Sequence, residues 1–136
     1  MSKANFTALL CSLVVCLPTL AHADCFKSVS ELKADHVRTS WRETTANDGK
    51  PMIISITDGG NGLVYLGAKA GVPWLSGNVS VCRVGGATNI TLKNTRATNQ
   101  VPLLARMGLP STQSAQIAGN QIRLAGGGWR GTFVGQ

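Results

Sequence analysis

Apolar and polar residues alternate in short runs over most of the chain. Met52, Ile54 and Ile56 share one side of an extended segment, as do Ile90 with Leu92, Ile122 with Leu124, and Trp129 with Phe133 across Gly131. A period of two marks a strand with one face turned to a core. The intervening Thr91, Lys93, Gln121, Arg123, Arg130 and Thr132 are polar and belong on the outer wall. Read this way, the pattern predicts strands at about 38–45, 51–58, 62–68, 72–76, 78–84, 88–94, 115–118, 121–125 and 129–134. In 78–84, Val79 and Val81 oppose Cys82 and Val84, so burial on both faces is expected.

The breaks between these runs are turn vocabulary. Asn47-Asp48-Gly49, Asp58-Gly59-Gly60-Asn61-Gly62, Gly85-Gly86 and Gly119-Asn120 supply residues that tolerate positive φ, as tight hairpins require. One helix is signalled near the start. Ser28 and Glu31 have capping-box spacing, Ser28 accepting from the Glu31 amide and Glu31 reaching back, which predicts a helix over Val29–His36. Hairpins this dense, with no long amphipathic helix between them, imply an all-β fold: a small antiparallel up-and-down barrel or sandwich of about eight strands. The barrel is preferred because closure removes exposed edges.

Residues 94–114 depart from the pattern. A connection of this length in a compact domain is functional or locally structured. Val101, Leu103, Leu104, Met107 and Leu109 make it apolar; Asn99 is placed to cap, Pro102 to occupy a first helical position, and Gly108 with Pro110 to end the turn. A short helix near 101–108 is predicted, as a plug that completes the core or a lid that gates a ligand.

The first residues change the picture by subtraction. Lys3, an apolar run from Ala8 to Leu20 and Ala21-His22-Ala23 have the form of a secretory signal peptide cut after Ala23, too short to span a bilayer at ~20 residues. The remaining Asp24–Gln136, 113 residues, suit a single all-β domain without a transmembrane segment, periplasmic or secreted. Cys11 and Cys16 leave with the leader, so Cys25 and Cys82 are expected to form a disulfide in an oxidising compartment. Twelve Lys and Arg then face six Asp and Glu, a formal charge of +6. Charge of this sign outside the cytosol favours anionic lipid, lipopolysaccharide or wall polymer as partner, with no nucleic acid expected.

Candidate chemistry is sparse. Arg38 and Arg42 project from one side of a strand, opposite Trp41, and could fork a phosphate or carboxylate. Trp74, after Gly71-Val72-Pro73, could stack on a sugar at a turn, while Leu103, Leu104 and Met107 could contact a lipophile. Gly126-Gly127-Gly128-Trp129 lacks the lysine and the following helix of a phosphate loop. His36 is the one histidine left, so no metal site or cofactor is expected. A carboxylate hydrolase would have to draw on Glu31, Asp35, Glu43, Asp48 or Asp58, which read as helix-surface and turn residues. The expectation is a non-catalytic exported binding protein for an anionic or amphiphilic envelope ligand. The alternatives are an inhibitor of a lysozyme or protease, or an assembly factor of a surface machine, with a protein partner in either case.

Overall fold

The computed structural model describes residues 23–44, 46, 48–126 and 129–136. β1 (Ala23–Cys25) leads through α1 (Val29–Ala34) to β2 (Ser40–Glu43), β3 (Met52–Gly59), β4 (Gly62–Lys69), β5 (Val72–Val84) and β6 (Ala87–Ala97). Then come α2 (Leu103–Met107), β7 (Gln113–Ile117), β8 (Gln121–Gly126) and β9 (Trp129–Gly135). Strands β2 to β9 form an antiparallel, nearly closed barrel, as the alternation implied. Sequential strands pair from β2 to β7, β8 pairs with β9, and β9 returns to β2 with Trp41 opposite Gly135. The seam lies between β7 and β8, where the one backbone bridge among the described residues is Ala118–Gln121 beside the Gly119 turn.

The alternating residues point inward as expected, except that the side chain of Trp129 lies outside what the structure describes. Met52, Ile54, Ile56, Ile90, Leu92, Ile122, Leu124 and Phe133 are all buried, together with Trp41 and Tyr65. Lys93, Gln121, Arg123 and Arg130 are exposed on the wall. This is the reverse of the apolar outer band that a membrane-spanning barrel presents to lipid.

Three expectations about β5 and β2 are corrected. The segments at 72–76 and 78–84 are one strand, because the chain absorbs an irregularity at Ser76–Asn78 without leaving the sheet. Gly77 makes that possible: a Cβ there would lie 2.5 Å from the Lys93 carbonyl oxygen and 2.9 Å from Tyr65 Cε1. The C-terminal part of β5 is not buried on both faces, since Val84 reaches solvent beside the Gly85-Gly86 turn. β2 is shorter than 38–45, beginning only after the chain has left α1.

In an up-and-down barrel alternate connections share an end. The β3–β4, β5–β6 and β7–β8 turns lie at what we call the α1 end; the other connections lie at the α2 end. At the α1 end β5 outruns β4, and its final residues pair with β1 instead. Cys25 stands directly opposite Cys82, and the two form the expected disulfide. Closing a separation of 57 residues stabilises the fold by about 2–4 kcal/mol on the chain-entropy account.

The disulfide aims α1 at the barrel mouth. Ser28 Oγ accepts from the Glu31 amide at 3.2 Å, as the capping box requires, while the Glu31 carboxylate accepts from Lys27 N and Asp58 Oδ1 accepts from Val29 N. The helix stops at Ala34, short of His36. Val37 N donates to the Leu32 carbonyl and His36 N to that of Lys33, a Schellman closure with His36 at φ 60°. Leu32 is fully buried in the core. The stopper of the barrel is therefore α1, not the 101–109 segment.

Candidate functional site

The 98–112 segment is an arch pinned at both feet. Thr98 N donates to the Trp74 carbonyl at 2.9 Å, Thr98 Oγ1 donates to the Pro73 carbonyl at 2.9 Å, and Thr95 N donates to the Ser111 carbonyl at 3.2 Å. Val101 is buried and Leu109 packs against the core, so each foot carries one apolar anchor. The span between them is α2. Pro102, at φ −55° and ψ 145°, is the residue before the helix and not its first member, and Asn99 does not cap: no side chain caps this helix. An extended Pro102 turns the chain away from the barrel, and the next residues leave the core with it.

This outcome overturns the plug. Leu103, Leu104 and Met107 are 63%, 84% and 76% exposed, and no residue of α2 is buried. Helical neighbours are separated by about 100°, so positions 103, 104 and 107 fall on one side of the helix with Arg106 at its border. Patches of contiguous exposed apolar surface on a water-exposed protein mark contact sites for proteins, ligands or membranes.

Trp74 stands at the same rim, half-buried, with the Lys69 ammonium 4.8 Å from its ring centroid. Lys69 also pairs with Asp48 at 3.1 Å. The Asp48 carboxyl is held below its ordinary value, first by the hydrogen bond from Lys50 N and then by Lys69. Glu43 accepts from Met52 N at 3.0 Å, inside the mouth.

Charge is distributed unevenly between the ends. Among the described residues, Lys50, Lys69, Arg96, Arg106 and Arg130 belong to the α2 end, against Glu43 and Asp48. The α1 end carries Lys27, Lys33, Arg38 and Arg83 against Asp24, Glu31, Asp35 and Asp58, a formal balance. Arg42, Lys93 and Arg123 lie along the wall. The excess positive charge thus sits on the wall and at the α2 end.

The paired arginines do not share a site with the apolar helix. Arg38 precedes β2 at the α1 end; its stem packs over Gly135, and it lines a polar cleft with His36, Trp41, Arg83 and Asn120. Arg42 lies on the wall opposite Val134 and is not part of that cleft. The buried indole N–H of Trp41 finds no acceptor among the described residues. Trp74 and α2, by contrast, are brought together through Thr98. Sequence reasoning missed the basic collar, although alternate hairpin connections share an end and the cations flanking them could have been grouped on that rule.

All five carboxylates weighed for hydrolysis hold structural partners: Glu31 the Lys27 amide, Asp35 the Arg83 guanidinium, Glu43 the Met52 amide, Asp48 Lys50 and Lys69, and Asp58 the Val29 amide. Among the described residues no cluster of three metal-binding side chains occurs, and no helix is long and apolar enough to cross a membrane. Gly127 and Gly128, like residues 1–22 in which a signal peptide was expected, lie outside the described residues; the expected cut after Ala23 would take one residue from β1. No protein-family model matches the chain, and neither do the curated proteins or solved structures compared with it.

Proposed function

We propose that the chain is an exported, non-catalytic binding protein of the cell envelope that engages an anionic amphiphile through its α2 end. The observation that carries this reading is the solvent exposure of Leu103, Leu104 and Met107 on a helix anchored at both feet. Exposing three large apolar side chains is unfavourable in water at about 25 cal/mol per Å² and is offset when a ligand covers them. The surrounding cations select for negative charge in that ligand. Export rests on the leader and agrees with the Cys25–Cys82 disulfide, which suits an oxidising compartment.

The experiment is a titration with lysophosphatidylglycerol below its micelle concentration, followed through backbone amide shifts. Shifts confined to residues 98–112 and to Lys50, Lys69 and Trp74 are expected, weaker with lysophosphatidylcholine and reduced by salt. Shifts at the α1 end alone, or none, would rule the reading out.

A further inference from the structure

We infer that the amphiphile is met as a bilayer surface, on which the barrel stands with its α2 end down. This rests on the preceding proposal and adds the form of the ligand and the orientation of the protein.

The interior argues first. Trp41, Tyr65, Phe133, Ile54, Ile90, Leu92, Ile122 and Leu124 fill it, and Leu32 closes the far mouth. An acyl chain has no lumen to enter, so apolar contact must be made outside. The exposed triad stands on the crest of the arch, between the buried Val101 and the half-buried Leu109. A single acyl chain laid along a five-residue helix with no groove beneath it would keep most of its own apolar surface in water. A fluid bilayer covers Leu103, Leu104 and Met107 together, in the manner of interfacial amphipathic segments.

The charge pattern then fixes the partner and the pose. Five cations ring the α2 end, and its two carboxylates are already engaged, Asp48 by Lys50 and Lys69 and Glu43 by the Met52 amide. The α1 end is formally balanced. A polarity of this kind along the barrel axis turns the α2 end toward an anionic plane, and juxtamembrane Lys and Arg are what such a plane attracts. Trp74 adds a third feature, a half-buried indole at the rim beneath an ammonium, the amphipathic placement that suits the headgroup level. A protein partner would more naturally be offered an aromatic or arginine anchor directed into a pocket. The crest here is Leu, Leu and Met, flexible aliphatic and thioether chains that suit a fluid surface.

The test uses vesicles of phosphatidylcholine with and without phosphatidylglycerol, doped with a nitroxide-labelled phosphatidylcholine, and reads paramagnetic broadening of the protein's amide resonances. The inference expects binding that requires phosphatidylglycerol, with broadening strongest at residues 103–107, present at Lys50 and Arg130, and absent from 29–34. Broadening strongest at α1, or binding indifferent to phosphatidylglycerol, overturns it. Binding of monomeric lysophosphatidylglycerol at the α2 end without vesicle binding overturns the bilayer inference and leaves the proposed function standing. Failure with both lipids removes both. Concentration-dependent shifts at 103–107 in a lipid-free sample, with no vesicle binding, would show that a second copy covers the crest and would also overturn the inference.

Discussion

The backbone N–H of Thr98 donates to the carbonyl of Trp74 at 2.9 Å, which fixes the first foot of the α2 arch to the start of β5. The adjacent hydroxyl donation to Pro73 doubles the attachment. Replacing Thr98 by Val keeps the side-chain shape and removes both the bond to Pro73 and the long 3.4 Å bond that Oγ1 accepts from Gln100 N. The expected loss is about 0.5–1.5 kcal/mol in denaturant unfolding, at the lower end because the site is open to water. Hydrogen exchange should accelerate at 99–108 and remain unchanged in β3 and β4; uniform acceleration would mean that the foot is not a local attachment.

Gly77 and Gly60 separate a glycine required by packing from one that is not. A Cβ at Gly77 would meet the Lys93 carbonyl and the Tyr65 ring, whereas at Gly60 nothing lies within 4 Å. Gly77→Ala is expected to destabilise by about 1–3 kcal/mol, since backbone and a buried ring must move. Gly60→Ala should stay within about 0.5 kcal/mol. Thermal melts of the two variants side by side decide this.

The β4–β5 hairpin turns through Ala70 at φ 50° and Gly71 at φ 79°. Asparagine tolerates the left-handed region better than alanine does, and it is preferred at this place in such turns. Ala70→Asn should therefore stabilise by about 0.5–1 kcal/mol, seen as a higher denaturation midpoint at unchanged slope. A lower midpoint would mean that the Ala70 methyl makes contacts that offset its strain.

Burial pushes the Tyr65 hydroxyl above its ordinary value of 10.0, and the hydrogen bond with Thr95 Oγ1 at 2.6 Å opposes the shift only in part. The folded state thus holds this proton more tightly than the unfolded chain. Its contribution to stability is complete below pH 10 and is lost as the pH rises through the folded value. Unfolding free energies of the chain and of Tyr65→Phe should run parallel through neutral pH and converge above pH 10; curves that stay parallel there would contradict the burial of this hydroxyl.

What was legible in the sequence follows from the kind of signal each residue carries. Strand faces were readable because Ile90 lies between Asn89 and Thr91 and Ile122 between Gln121 and Arg123, and a period of two is carried by neighbouring residues alone. The Cys25–Cys82 pairing followed from subtraction of the leader cysteines. The merging of 72–76 with 78–84 was hidden, since Gly77 reads locally as a break and only the Lys93 carbonyl above it shows why a glycine is needed there. The inward seat of α1 and the outward turn of α2 were hidden for a similar reason. Leu32 is the one buried residue of a short helix, with Val29 packed beside it, and the helix follows closely on the Cys25–Cys82 disulfide that ties its start to β5. Leu103, Leu104 and Met107 are core-type residues by composition, and Pro102 carries them outward. The basic collar is assembled from five elements and loops far apart in the chain, which periodicity within any one of them cannot reveal.

The central claim is that the crest of α2 is what the protein binds with. The most direct measurement compares the chain with Leu103→Ser/Leu104→Ser/Met107→Ser by cosedimentation with phosphatidylglycerol-containing vesicles, with thermal unfolding recorded on the same samples. No side chain of the triad is buried, so the melting temperature should not fall. Partition to the vesicles should drop by about tenfold or more, as expected when three apolar side chains no longer leave water. Undiminished partition of a folded triple variant would contradict the account.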